Sequence, residues 1–315
     1  MASGAQFIRS AQLLLANSSQ ALDLSNLRFR FKISAADVET PNTAEIRVYN
    51  LSEETIKQAI AEYSSVVVGG GYQSNAGTLF KGTIKQFWRG KERYVDSFLD
   101  IMAADGDTAY NFAAIQQSLP SGSTNQSRFK ALVGALGLPS DPNAPSYLSS
   151  TGGILPRGKV LFGLARDYMR DLSTSNDVRW SIQNGTVTLV PLTGYLPGEA
   201  VQINSATGMI GVPRATDQGI EVTCLINPKL RVGGQIQLNN KDITSATIKQ
   251  QFFPRYTDYN LIASISSSDD GFYRIVVIEH EGDTRDTEWY THLICLNVDP
   301  SSAPDSSVLP FGIPQ

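Results

Sequence analysis

Residues 27–34 read LRFRFKIS and alternate apolar and polar side chains without interruption. Successive side chains of a β-strand point to opposite faces, so a period of two is typical of a strand with one buried face. Residues 46–49, IRVY, resume the alternation after a turn at Pro41-Asn42. The sequence therefore predicts two neighbouring strands whose apolar sides cover a common core.

A single helix is predicted within this first β-rich part. Ser52 is a suitable N-cap, and two glutamates follow it in the first turn, where acidic side chains are favoured. Apolar residues then recur at helical spacing as far as Tyr63. Further β-rich runs lie at 78–89 and 94–102, so we expect a β-barrel or sandwich with one helix across it.

The middle of the chain is predicted to be a small α+β module. Its predicted elements are helices at 107–118, 127–136 and 161–172, a long loop at 137–159, and strands at 178–183 and 186–190. The two strands flank Asn184-Gly185, which is the strongest short signal for a two-residue hairpin turn.

Strands return in the last third. They are predicted at 200–203, 209–212, 220–225, 230–238, 261–266, 272–279 and 289–298, with a tight turn at Asp269-Asp270-Gly271. Residues 300–315 contain four prolines and four serines, which predicts a tail that stays extended or disordered until something orders it.

The composition describes a globular chain of low charge. Of the 315 residues, 41% are hydrophobic and 18% are charged, and the net charge of −4 argues against a dedicated nucleic-acid binder. The charge is uneven, since residues 1–32 sum to +3 and residues 265–315 to −7. No apolar run approaches the ~18 residues of a membrane span, so we expect no membrane anchor. Two cysteines make no disulfide framework, which favours folding in a reducing cytoplasm.

The motifs of catalysis and cofactor binding are incomplete. Gly77 and Gly82 have the spacing of a phosphate-binding loop, but Thr83 follows where that loop needs lysine. His292 and Cys295 lie three apart in a predicted strand, which directs them to opposite faces and prevents a shared metal ion. We therefore predict no enzyme, no cofactor and no metal. A pair of carboxylates for glycan cleavage stays open, because any two acids can meet in space.

Most of the chain carries short motifs in a characteristic order. They are PNTAEIRVYNLS (41–52), LFKGTI (79–84), TGMIGVP (207–213), GIEV (219–222), NP (227–228), VGG (232–234), GFYR (271–274), HEGDTR (280–285) and EWYT (288–291). The last three are the most distinctive. Together they resemble the central baseplate hub family of contractile-tailed bacteriophages, a tail-tube-like double-barrel family.

The resemblance implies an α+β, mainly β fold with two tail-tube-like β-barrel domains and an intervening small α+β module. The corresponding boundaries are 1–105 for the first barrel domain with its helix, 106–195 for the module, 196–299 for the second barrel domain and 300–315 for the tail. Such a chain forms a homotrimer that presents six similar units in a ring, and so joins a sixfold tail tube to a threefold cell-puncturing spike. The family has no catalytic residues.

The resemblance also implies partners and a location. The expected partners are the tail tube or tube-initiator protein, the spike and the baseplate wedge proteins, in a virion assembled in the bacterial cytoplasm. Within the acidic part, Glu279, Glu281 and Asp283 are a candidate channel or partner surface, where DNA passes without specific binding. The tail at 300–315 is expected to lie along a neighbouring subunit or tail protein.

Two other functions remain open. One is another β-rich tail component, namely a tube, distal-tail or spike-base protein. The other is a tail-associated cell-wall hydrolase.

Overall fold

A computed structural model describes residues 8–92, 96–148, 153–216, 219–238, 244–245 and 271–297. The predictions of a strand at 261–266 and of a tail at 300–315 lie outside the described residues, as does most of the predicted turn at 269–271.

The described part of the chain is mainly β, with four α-helices, which confirms an α+β, mainly β fold. In chain order, the strands are β1 (Arg9–Ala16), β2 (Ala21–Asp23), β3 (Phe29–Ala36), β4 (Thr43–Tyr49), β5 (Ser65–Tyr72), β6 (Asn75–Glu92), β7 (Asp96–Ala104), β8 (Ala114–Leu119), β9 (Lys159–Leu164), β10 (Val178–Gln183), β11 (Thr186–Pro191), β12 (Val201–Gln202), β13 (Met209–Thr216), β14 (Gly219–Leu225), β15 (Gln235–Gln237), β16 (Thr244–Ser245), β17 (Phe272–Asp283) and β18 (Trp289–Leu296). The helices are α1 (Glu53–Glu62), α2 (Asp107–Phe112), α3 (Asn125–Leu136) and α4 (Ala165–Thr174).

One large sheet contains fourteen of these strands. Its order is β16-β13-β14-β18-β17-β3-β4-β7-β6-β5-β1-β2, and β12 and β15 join it through β17. The module contributes two separate two-stranded sheets, β8–β9 and the hairpin β10–β11. Within the described residues the backbone ladder of the large sheet has two free ends and does not close.

Strand β17 changes its neighbour halfway along one edge. Its start pairs with β15, as in Gln235 opposite Arg274, whereas its later part pairs with β3, from Val277 opposite Ala36 to Asp283 opposite Arg30. A register shift between Ile275 and Val277 in the pairing with β18 marks the same place. Strand β18 pairs with β17 along its other edge. Strand β17 therefore links β15, from the last third of the chain, with β3, from the first third.

Buried apolar residues form three clusters, called here the first, second and third cores. The first lies under β1 and β3–β7, and it includes Ile226 and Trp289 from the last third of the sequence. The second fills the module, and the third lies among β14, β15, β17 and β18.

The local signals of the first part are confirmed. Phe29, Phe31 and Ile33 are buried in the first core, whereas the residues between them are exposed, as the alternation predicts. The Ser52 side chain accepts a hydrogen bond from the backbone N–H of Thr55 at 3.1 Å and so caps α1.

The hairpin prediction in the module is also confirmed. Asn184 and Gly185 have φ of 53° and 79°, the left-handed conformations that a two-residue hairpin turn requires. The predicted helix at 127–136 corresponds to α3.

Two helix predictions in the module are wrong in part. The predicted helix at 107–118 ends at Phe112, and β8 follows; the predicted helix at 161–172 begins only at Ala165, because β9 precedes it. Ile115 and Leu119 have helical spacing, but both face the second core from a strand. The pairing of β8 with β9 joins segments far apart in the sequence, and such non-local pairing overrides a local period.

Candidate functional site

The three acidic residues predicted as a surface lie together on one side of the large sheet. In the register of β17 with β3, Glu281 is opposite Lys32 and Asp283 is opposite Arg30. These side chains point away from the first core, because the alternate residues of β3 are the buried ones. We call this side of β17, β3, β4, β7 and β6 the open face.

Two rows of mainly charged side chains cross the open face, and each ends in a large apolar side chain. The first row runs Glu281, Lys32, Glu45 and Met102, so that its charges alternate in sign. The second row runs Asp283, Arg30, Arg47, Asp100 and Trp88. Directly opposite residues have Cβ atoms about 5 Å apart, so opposite charges in the rows attract. The acidic residues Glu281 and Asp283 of β17 therefore lie opposite bases of β3.

Asp283 is the least accessible of the three predicted residues. Its side chain is 5% exposed and its Oδ2 lies 2.8 Å from a guanidinium nitrogen of Arg28. Burial acts to raise the pKa of Asp283, but hydrogen bonds from Arg28 and from the backbone of Arg285 outweigh it and hold the pKa below its usual value. Asp283 is thus charged and paired within the chain. Glu279 and Glu281 are half-buried.

A second ion pair lies in the middle of the open face. Arg47 donates to both carboxylate oxygens of Asp100, at 2.6 and 2.7 Å. Its guanidinium also stacks 3.8 Å from the ring centroid of Phe98. The hydrogen bond to Asp100 raises the pKa of Arg47. This fork-to-fork pairing holds the side chains of β4 and β7 in fixed positions.

The two rows line an open groove of about 440 Å³. Trp88, 62% exposed, and Met102 stand on its walls beside Arg30 and Glu281. Aromatic residues, methionine and arginine are the types enriched in protein interfaces. The groove can therefore bind a partner through both apolar contact and ion pairs.

A buried ion cluster, which was not predicted from the sequence, joins three parts of the chain. Asp37, after β3, lies 3.4 Å from a guanidinium nitrogen of Arg274 on β17 and 3.8 Å from one of Arg179 on β10. Arg274 also donates to the backbone oxygens of Pro191, at 2.7 Å, and Leu192, at 3.0 Å. Burial raises the pKa of Asp37, and the two arginines oppose that shift. The sequence signal that could have indicated this cluster is Arg274, the last residue of the GFYR motif.

A second polar junction attaches the β10–β11 hairpin to the first part of the chain. The Asp105 carboxylate accepts from the N–H of Gly185 at 2.8 Å, and the Asn42 amide donates to the backbone oxygen of Ile182 at 3.0 Å. Burial raises the pKa of Asp105 to about 7, although hydrogen bonds from Gly185 and Asn184 act against it. The Asn184-Gly185 turn is thus held by a hydrogen bond to a titratable group, the Asp105 carboxylate.

The histidines and cysteines occupy structural positions. His280 is buried and shares a hydrogen bond of 2.8 Å with the Thr291 hydroxyl, and burial lowers its pKa to about 4. His292 shares one of 3.0 Å with Thr223. Burial raises the pKa of Cys224 to about 12 and that of Cys295 as well, so neither is a reactive thiolate.

Among the described residues there is neither a cluster of metal ligands nor a membrane-spanning helix. No three histidine, cysteine, aspartate or glutamate residues there are grouped so that they could hold a metal ion. No helix in the described part of the chain has the length and apolar character that a membrane crossing needs.

The fold is that of phage tail proteins. A 43 kDa tail protein of prophage MuSo2 from Shewanella oneidensis matches with a TM-score of 0.56 at 8% identity, over 92% of this chain and 97% of that one. A tail protein from Neisseria meningitidis MC58 matches with a TM-score of 0.54 at 9% identity, over 92% and 96%. The E. coli c3393 protein, a type VI secretion system component described as similar to T4 tail proteins gp27 and gp5, matches with a TM-score of 0.52 at 8% identity, over 90% and 77%.

Part of the sequence is similar to one family of such proteins. Residues 183–278 match the family model of baseplate hub gp41. No curated protein sequence matches the chain. The resemblance to baseplate hub proteins is confirmed, and these findings support a structural component of a phage tail or a type VI apparatus.

Proposed function

We propose that this chain is the central baseplate hub of a contractile phage tail, a non-enzymatic protein that assembles as a homotrimer. The observation that carries the proposal is the match of residues 183–278 to the hub family, together with the fold over more than nine-tenths of the chain. The matched stretch includes β12–β15 and the first part of β17, which supplies Tyr273, Ile275 and Ile278 to the third core.

The first of two proposed barrel units surrounds the first core. Arg9 on β1 donates to the backbone oxygen of Thr287 at 2.8 Å, and its guanidinium lies 5.5 Å from the ring centroid of Trp289. The Trp289 indole donates to the backbone oxygen of Gly71 on β5 at 3.3 Å. In the order of the sheet, β1 and β5 are far from β18. These contacts support a sheet that curls until strands far apart in its order meet through their side chains. The proposed first barrel unit is thus formed by 1–105 together with β17 and β18.

The second proposed barrel unit surrounds the third core, within 196–299. Its strands are β12–β15, β17 and β18. Closed rings repeat their contacts by their own symmetry, so a threefold spike cannot fit a sixfold tube directly. Two ring-forming units in each of three chains give a ring of six units. The module at 106–195 is not one of these ring-forming units.

The open face is proposed as the surface towards a protein neighbour. Glu279 and Glu281 lie on it beside Lys32 and Arg30, so the face carries both signs of charge. A channel wall that repels DNA is better served by one sign, and the mixed face therefore favours a neighbouring subunit or tail protein. The partners of the assembled virion are the tail tube or tube-initiator protein, the spike and the wedge proteins, with DNA passing through the central channel.

Native mass spectrometry of the full chain tests the proposal. The expected species has three times the 34.2 kDa mass of one chain. A hexamer would replace the hub by a tube or distal-tail protein, and a monomer at micromolar concentration would overturn the assembly. Clearing of peptidoglycan in a zymogram would overturn the non-enzymatic part.

A further inference from the structure

The two-stranded β8–β9 sheet has an exposed face without any charged residue. Its cross-strand pairs on that face are Gln116 with Phe162 and Ser118 with Val160, continued by Ala114 with Leu164. The intervening Ile115 and Leu161 are buried in the second core and anchor the sheet there. The exposed face is therefore a fixed surface.

Large apolar side chains dominate this surface. Phe162 is 71% exposed and Val160 67%, and Phe112, which ends α2 just before β8, is 74% exposed. With about 200 Å² for each aromatic side chain, these three side chains together expose on the order of 300–400 Å², and apolar patches of that size are often functional.

An occupant has to lie across the face, because the outer edge of β9 is blocked. The Tyr168 hydroxyl shares hydrogen bonds of 3.1 Å with both the N–H and the oxygen of Phe162. The backbone groups that a further strand would need are thus used at the middle of this edge. Recognition must come from apolar side chains.

The sequence supplies such a segment. Residues 306–315 read SSVLPFGIPQ, with four large apolar residues at 308, 309, 311 and 313 and no ionisable side chain. An uncharged apolar segment matches an uncharged apolar face, since neither side has to desolvate a charge.

The chain leaves the described sheet close to the module that carries the face. Leu296, near the end of β18, is paired with Arg274, whose guanidinium contacts the backbone oxygens of Pro191 and Leu192 in the module. Residues 298–315 span up to ~60 Å when extended. A globular protein with as many residues as the whole chain is ~50 Å across. The segment can reach the face of its own chain, where its effective concentration far exceeds that of a separate molecule.

We propose that residues 306–315 bind across the exposed face of the β8–β9 sheet of the same chain, with their apolar side chains against Phe162, Val160 and Phe112. This contact is made within one chain, so it replaces the expectation that the tail lies along a neighbouring subunit or tail protein, and it does not depend on the proposed hub function.

Photo-crosslinking of the full chain tests the contact. Phe162 is replaced by p-benzoylphenylalanine, and in a matched control the equally exposed Trp88 of the open face is replaced instead. A mixture of ¹⁴N- and ¹⁵N-labelled protein distinguishes products within one chain from products between chains. We expect position 162, and not position 88, to crosslink to a peptide from 306–315 with a single isotope label.

A variant of the segment completes the test. The triple substitution Val308→Ser, Leu309→Ser and Phe311→Ser should abolish this crosslink, whereas Ser306→Ala with Ser307→Ala should keep it. A product with mixed labels, a product to another region, or a crosslink that survives the triple substitution overturns the proposal. None of these results bears on the trimer, which is measured separately by mass.

Discussion

Asp37 and Arg274 meet in the interior with 3.4 Å between a carboxylate oxygen and a guanidinium nitrogen, and their side chains are 0% and 2% exposed. They come from opposite ends of the sequence and meet where β17 changes its neighbour from β15 to β3. A buried charge is tolerated only when it is paired. The pair therefore favours one arrangement of the strands at this crossing.

Removal of Arg274 should be strongly destabilising. In Arg274→Met, Asp37 loses its nearer partner in a buried site, and the backbone oxygens of Pro191 and Leu192 lose a donor. We expect a loss of about 3–5 kcal/mol in the free energy of unfolding, measured by urea denaturation. The matched control is Arg231→Met, which changes a more exposed arginine. A loss below about 1 kcal/mol in Arg274→Met would contradict the structural importance of the pair.

Asp105 should make stability fall as the pH rises. Its pKa is raised from 3.8 to about 7, so the folded chain holds a proton that the unfolded chain releases between those pH values. Stability from this group is full at low pH and is lost as the pH rises towards 7. Asp105→Asn lacks the titration, so it should gain about 1–3 kcal/mol relative to the native protein between pH 5 and pH 8. Denaturation at both pH values checks this, and an unchanged difference between the two proteins would refute it.

His280 should have the opposite pH dependence. Burial lowers its pKa from 6.5 to about 4, so the unfolded chain binds a proton that the folded chain does not. The stability from this group is present above pH 6.5 and is lost as the pH falls towards 4. His280→Gln should therefore show a smaller fall in melting temperature between pH 7 and pH 5 than the native protein. The control is His292→Gln, which changes a histidine that is only partly buried. Equal falls in melting temperature in all three proteins would rule the mechanism out.

Trp88 should matter for assembly and not for folding. It is 62% exposed on the open face, so Trp88→Ala should change the stability of one chain by less than about 0.5 kcal/mol. A central aromatic of an interface costs about 2 kcal/mol or more when truncated, which is roughly a thirtyfold weaker association. Sedimentation over a dilution series measures it. Ile60→Ala on α1, where Ile60 is 49% exposed, should leave the association unchanged, and a similar result for Trp88→Ala would exclude the open face as the interface.

Local signals predicted the strands and turns that depend on neighbouring residues. The alternation at 27–34, the Ser52 cap and the Asn184-Gly185 turn each act within a few residues, and each is confirmed. The β8–β9 pairing was not predictable in the same way, because a period cannot indicate a partner strand some 40 residues away.

The candidate site depends on long-range pairing to a still greater degree. The sequence separated the basic residues of 1–32 from the acidic residues of 265–315, whereas the pairing of β3 with β17 places Lys32 opposite Glu281. The neutralisation of Asp283 by Arg28 follows from the same pairing. The distribution of charge along the sequence does not indicate which of these charged residues pair in the fold.

The twelve-residue strand β17 also has a mechanical consequence. Its backbone hydrogen bonds tie it first to β15 and then to β3, without a flexible connection between the two regions. A twist applied to one region therefore strains the hydrogen-bonded pairing of the same strand in the other region. Independent rotation of the two regions would require backbone hydrogen bonds between β17 and β15 or β3 to break.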